Sequence, residues 1–125
     1  GTATDYPIVT GGLSIGFLPS SVTRIKSFLI KDLRVGDVVS FKCKGKGCPR
    51  RLRSTKVTKA GQLNLIKMFK RVKLRPKAKL TLTISRANHY SKIRVYTIRK
   101  KKGPSVRQLC QRPGATTATS QCPAA

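Results

Sequence analysis

The sequence predicts an all-β fold, an antiparallel β-sandwich of about seven short strands held by two local disulfides. Three observations predict it. Thr, Val and Ile recur in runs that alternate apolar with polar residues, and Gly or Pro interrupts the chain every 10–20 residues. Four cysteines fall into two sequence-local pairs, Cys43 with Cys48 and Cys110 with Cys122.

The elements follow in order. Ile8–Phe17 is a first strand, apolar, nearly free of charge and broken by glycine, and Val22–Ile30 is a second. Leu33-Arg34-Val35-Gly36-Asp37 then makes a tight turn, in which Asp37 accepts a local backbone hydrogen bond. Val38–Cys43 alternates, with Val39, Phe41 and Cys43 on one face and Ser40 and Lys42 on the other. Lys59-Ala60-Gly61 separates a basic loop from a strand at Gln62–Ile66. Within Leu63–Val72, Leu65, Met68, Phe69 and Val72 fall at helical spacing, but Asn64 and β-branched neighbours limit this to one helical turn. Leu74-Arg75-Pro76-Lys77 is the next turn.

Lys79–Ile84 is the clearest strand, with Leu80, Leu82 and Ile84 inward. Lys92–Thr97 repeats the pattern, with Ile93 and Val95 inward and Lys92, Arg94 and Tyr96 outward; Val106–Cys110 is the last strand. Period two with one polar face marks half-buried antiparallel strands. About seven of them with regular turns is the pattern of an immunoglobulin-like sandwich. Residues 1–112 form that domain, and 113–125 are a low-complexity tail that would fray unless a Cys110–Cys122 bridge pins it to the last strand.

Paired cysteines in a short chain are a disulfide framework where the compartment is oxidising. Zinc wants tighter knuckles than C-x4-C and C-x11-C, and the sequence has one histidine, His89, so no metal or other cofactor is expected. No C-x-x-C redox motif is present. The start at Gly1-Thr2-Ala3-Thr4 reads as a processed end and no apolar run has transmembrane length, which together suggest a secreted, cell-surface protein. In Cys43-Lys44-Gly45-Lys46-Gly47-Cys48-Pro49 the two glycines let the chain curl until the cysteines meet. Closing loops of six and thirteen residues contributes roughly 2 and 3 kcal/mol on the chain-entropy account.

Charge is the strongest compositional signal. Among 125 residues, 28 are Lys or Arg and three are acidic, for a formal net charge of +25. The acids are Asp5, Asp32 and Asp37, so every residue from Val38 onward lies in an acid-free stretch. Solubility would be served as well by acids; cations without partners point to an external polyanion. Three clusters carry the charge: Lys42, Lys44, Lys46, Arg50, Arg51, Arg53 and Lys56; then Lys67, Lys70, Arg71, Lys73, Arg75, Lys77 and Lys79; then Lys92, Arg94, Arg99, Lys100, Lys101, Lys102 and Arg107. Tyr90 and Tyr96 lie among the third cluster and are candidates to stack on bases or sugars. With seven aromatics and no Trp, the main mode is electrostatic, with little sequence specificity and a steep salt dependence.

Several motifs together resemble a family. Pro7-Ile8-Val9, the CKGKGCP loop at 43–49, Leu65 to Phe69, Leu74-Arg75-Pro76-Lys77, Leu80–Ile84, Tyr96-Thr97-Ile98-Arg99 and Cys110 through Pro113-Gly114 to Cys122 span nearly the whole chain. The pattern resembles the basic immunoglobulin-like extracellular domains of secreted and surface proteins in high-GC Gram-positive bacteria. That resemblance implies an extracellular location and no established catalysis. Two positions depart from it: Lys77 stands at the usual turn glycine, and Arg86-Ala87-Asn88-His89 replaces a glycine-containing turn.

Enzymatic readings fail on inventory. Glycoside chemistry needs two placed carboxylates, and a serine triad needs a histidine near an acid. His89, flanked by Asn88 and Tyr90, reads as an exposed turn residue, and no Gly-Lys-Ser/Thr follows Gly45 and Gly47. The amides of that loop could form an anion-binding nest, although a purely structural loop is the simpler reading. The expected function is therefore a non-catalytic polyanion-binding module, for nucleic acid or an anionic wall polymer, acting as a homo-oligomer or repeating coat. The alternative is a self-assembling filament or surface-layer subunit in which strand edges or the segment Tyr6–Phe17 pair with a neighbour. A cytoplasmic RNA binder fits the charge but not the cysteines.

Overall fold

A computed structural model describes residues 6–50 and 52–123. Eight strands appear among them: β1 (Gly12–Leu18), β2 (Arg24–Leu33), β3 (Val38–Lys44), β4 (Thr55–Lys56), β5 (Gly61–Asn64), β6 (Lys79–Ser85), β7 (Ser91–Arg99) and β8 (Lys102–Gln111). They form two antiparallel sheets, one of order β1-β2-β5 and one of order β4-β3-β6-β7-β8. The expected helical turn is a 3-10 turn at Ile66–Phe69. Both disulfides are present, with Cα–Cα distances of 5.6 Å for Cys43–Cys48 and 5.7 Å for Cys110–Cys122. β4 had no signal in the sequence, because a two-residue strand is too short to show an alternation.

The inner faces of the two sheets share one core. Ile25, Phe28, Ile30 and Leu33 of β2 meet Val39 and Phe41 of β3 and Leu80, Leu82 and Ile84 of β6, all buried. Phe28 stacks on Phe69 at 5.2 Å and meets Phe41 edge-on at 5.8 Å. The 3-10 turn therefore exists to drive Phe69 between the sheets. Such aromatic pairs contribute about 0.5–1.5 kcal/mol each beyond their burial.

At the other side of the core the chain uses hydrogen bonds. Pro7–Val9 pairs in parallel with Tyr90 before β1 crosses to the small sheet. The 34–37 turn is closed by Asp37, whose Oδ2 accepts from the Arg34 amide at 2.8 Å, as expected. Asp37 is fully buried and also pairs with Arg86 Nη1 at 3.3 Å. Arg86 Nη1 further donates to the Val35 carbonyl, so one guanidinium ties the 34–37 turn to the end of β6. The tail does not hang free: Cys110 and Thr119 exchange backbone hydrogen bonds of 2.9 and 2.8 Å beside the disulfide.

One strand has the opposite phase from that expected. In register, Leu80, Leu82 and Ile84 of β6 face Tyr96, Arg94 and Lys92 of β7, so these three point inward, and Ile93 and Val95 point outward. Directly opposed residues of an antiparallel pair share a face. Both phases of Lys92–Ile98 carry apolar residues, and buried Tyr96 and Ile98 decide between them. The opposing sheet has three strands against five, so the inner face of β7 overhangs β1, the terminal strand of the small sheet. Lys92 Nζ donates to the Gly11 carbonyl at 2.9 Å, and Arg94 Nη1 donates to the Leu13 carbonyl at 3.2 Å. Long cationic side chains fit such a seam because their stems pack while their heads reach polar atoms.

Candidate polyanion-binding surface

The disulfide loop is shaped by close approach to the chain beside it. Gly45 and Gly47 have φ of +124° and +90°. A Cβ on Gly45 would come within 2.8 Å of the Ala78 Cα, and one on Gly47 would collide with the Lys73 carbonyl. The Arg75 amide donates to the Lys46 carbonyl at 3.1 Å. The first cationic cluster is therefore laid against the second by backbone contacts that only glycine permits.

Further hydrogen bonds bring in the rest. Thr23 and Leu74 exchange backbone hydrogen bonds of 2.8 Å each, which sets Arg24 beside Lys73. The Lys77 amide donates to Ile98 O, and the Ile98 amide donates to Ala78 O. The β7–β8 hairpin turn, Arg99 to Lys102, docks through the Lys101 amide on Ser20 O at 2.9 Å. Register places Lys44 opposite Lys79, and Lys79 opposite Thr97, at this same end.

One end of the molecule thus collects Arg24, Lys44, Lys46, Lys70, Arg71, Lys73, Arg75, Lys77, Lys79 and Arg99 to Lys102, all exposed. The opposite end is made by Val38 against Ser85, Leu33 against Gly61 and Ser91 against Gln111. Asp32 and Asp37 are at that opposite end, and Arg86–Asp37 is the one ion pair among the described residues. The asymmetry along the sequence has become an asymmetry in space. A single-signed patch of this kind raises the local concentration of an anionic partner.

Not every expected cation joins this end. Lys42 is exposed on the outer face of the large sheet, in the same row as Thr81, Val95 and Arg107. Arg50 and Arg53 are exposed along the segment leading to β4, Lys56 lies on β4 paired with Val38, and Lys67 is exposed on the 3-10 turn. Arg51 falls outside the described residues. Lys92 and Arg94 sit in the seam, with their heads on the Gly11 and Leu13 carbonyls. Arg24 had no signal in the sequence, since it reaches the surface patch through a Thr23–Leu74 pairing between distant segments.

The stacking role expected of Tyr90 and Tyr96 is not supported. Both rings are buried, 8% and 4% exposed, because Tyr90 anchors the Pro7–Val9 crossover and Tyr96 packs on Phe17 at 5.2 Å. Tyr6, exposed and with Arg112 over its ring at 5.2 Å, precedes the Pro7–Val9 crossover away from the cationic end. His89 is half-buried, its Nδ1 2.8 Å from the Ala87 carbonyl. Among the described residues no three His, Cys, Asp or Glu side chains are grouped to hold a metal, and no helix is long and apolar enough to cross a membrane.

Burial, and after it the neighbouring Arg94 charge, hold the Lys92 pKa below the ordinary lysine range, while Asp32 opposes them. The seam is thus a place where two cations are kept close without a carboxylate in contact, at some electrostatic cost. No family model, curated protein or solved structure matches the chain.

Proposed function

We propose that this chain is a secreted, non-catalytic module that binds a polyanion through its cationic end, a nucleic-acid backbone or an anionic wall polymer. The observation that carries the reading is the convergence of three sequence-distant cationic segments at one end, with the described acids at the other. The two disulfides fit an oxidising, extracellular compartment. We assign the scaffold to the immunoglobulin-like sandwiches: β1-β2-β5 against β3-β6-β7 follows the A-B-E against C-F-G plan, with β4 beside β3 and β8 added outside β7. The rival reading, self-assembly through Tyr6–Phe17, is weakened because Gly11 and Leu13, within that segment, already accept from Lys92 and Arg94.

The test is fluorescence anisotropy with a labelled DNA duplex and with a poly(glycerol phosphate), across a series of salt concentrations. Log affinity should fall linearly with log salt, by about 0.9 per duplex phosphate neutralised. Neutralising Lys73, Arg75, Lys100 and Lys101 to Gln should weaken binding strongly and flatten that slope. Neutralising Lys31, Arg34, Lys56 and Lys59 at the other end should do much less. Equal losses from the two sets, or no binding near physiological salt, would overturn the proposal.

A further inference from the structure

We propose that the cleft between the start of β2 and the turn after the 3-10 segment is a discrete phosphate-binding site, with Arg24, Lys70, Arg71 and Lys73 as its donors. This rests on the cationic-end reading and deepens it. A diffuse patch attracts any polyanion, whereas a site of this kind seats one phosphate group and so fixes where the polymer docks.

The cleft encloses about 300 Å³ and is lined by those four residues and Val72. That is the low end of the roughly 300–1,000 Å³ range of small-molecule clefts. Its lining holds one apolar side chain and no aromatic ring, so it offers little to a sugar ring or a base. The larger hollow at the opposite end is different, setting Lys56 and Lys59 among Leu33, Val57 and Leu63. Four cations without an acid suit a compact oxyanion carrying one or two charges on several oxygens. Arg24 brings a planar fork for two of those oxygens, and the lysines act as mobile point charges.

The walls are held in place. Thr23 and Leu74, the neighbours of Arg24 and Lys73, are completely buried and joined by two 2.8 Å hydrogen bonds. Backbone fixed before binding lowers the ordering cost of capturing the anion. None of the four cations makes an ion pair among the described residues. A bound phosphate would relieve their mutual repulsion.

The experiment titrates the protein with inorganic phosphate, and separately with dimethyl phosphate, at constant ionic strength, read by amide and Arg side-chain NMR shifts. Saturable shifts confined to Arg24 and residues 70–73 are expected. Arg24→Gln should weaken phosphate by about fivefold or more, the loss of a charge-assisted hydrogen-bonding fork. The Lys31→Gln/Lys59→Gln variant, at the opposite end, should leave it within about twofold, as befits groups far from the cleft. Binding of dimethyl phosphate as well would assign the source to a backbone diester, and binding of inorganic phosphate alone to a terminal monoester; either supports the site. Linear shifts spread over all surface lysines, with duplex or poly(glycerol phosphate) still bound, would overturn the cleft and leave the polyanion reading standing. Saturable phosphate binding without any polymer binding would do the reverse.

Discussion

Lys77 occupies a conformation that suits glycine, and replacing it with glycine should stabilise the protein. The Arg75–Ala78 turn has Pro76 at its second position and Lys77 at its third, closed by the Ala78 amide on Arg75 O at 3.1 Å. Lys77 has φ of +76°, as the third position of a type II turn requires. Holding an L-residue there costs about 1–2 kcal/mol, while glycine returns about 0.5–1 kcal/mol through its freer unfolded chain. Lys77→Ala keeps the strained Cβ and removes the charge; Lys77→Gly removes both. The glycine variant should therefore be about 0.5–1 kcal/mol more stable than the alanine variant. For a domain of this size that is roughly 2–5 °C in Tm. Thermal and urea unfolding should be run at low salt and again at 1 M, where a Debye length of about 3 Å screens the lost charge. A glycine variant no more stable than the alanine variant would refute the backbone argument, and the Lys77 amide's 2.8 Å bond to Ile98 O would then deserve the credit for the turn.

Two further outcomes follow from the same geometry. Gly47→Ala puts a Cβ against the Lys73 carbonyl at a φ of +90°, so it should destabilise by about 2–4 kcal/mol and loosen the cationic end; an unchanged urea midpoint would refute this. Lys92 has its folded pKa below the unfolded value of 10.5. Well below the folded pKa both states hold the proton, and between the two values the unfolded state holds more, so stability rises with pH there. The stability of the wild type relative to Lys92→Met should therefore grow as the pH climbs toward 10.5, and a flat or falling difference in urea unfolding would sink the argument.

Much of the fold was legible because strands with one wet face write their orientation into the sequence. Val39, Phe41, Leu80, Leu82 and Ile84 alternate with Ser, Thr and Lys, and all five are buried. Lys92–Ile98 shows where that reasoning stops. Its two faces both carry apolar residues, and the choice between them depended on how far one sheet overhangs the other, a quantity no local pattern contains. Tyr96 was misassigned for the same reason, and with it the expectation of exposed stacking rings.

The candidate surface divides along the same line. The amino-acid sequence alone determined the excess of cations, the confinement of the acids to the N-terminal third, the glycines of the disulfide loop and the shortage of aromatic residues. Tertiary structure alone decided which cations meet. Thr23–Leu74, Arg75–Lys46 and Lys101–Ser20 join segments far apart in the chain, and these pairings gather Arg24, Lys73, Lys46 and Lys101 at one end while sending Lys92 and Arg94 into the seam. Charge is a property of each residue and survives in any conformation. A charged surface is a property of the pairings, because backbone hydrogen bonds between distant strands set which side chains become neighbours.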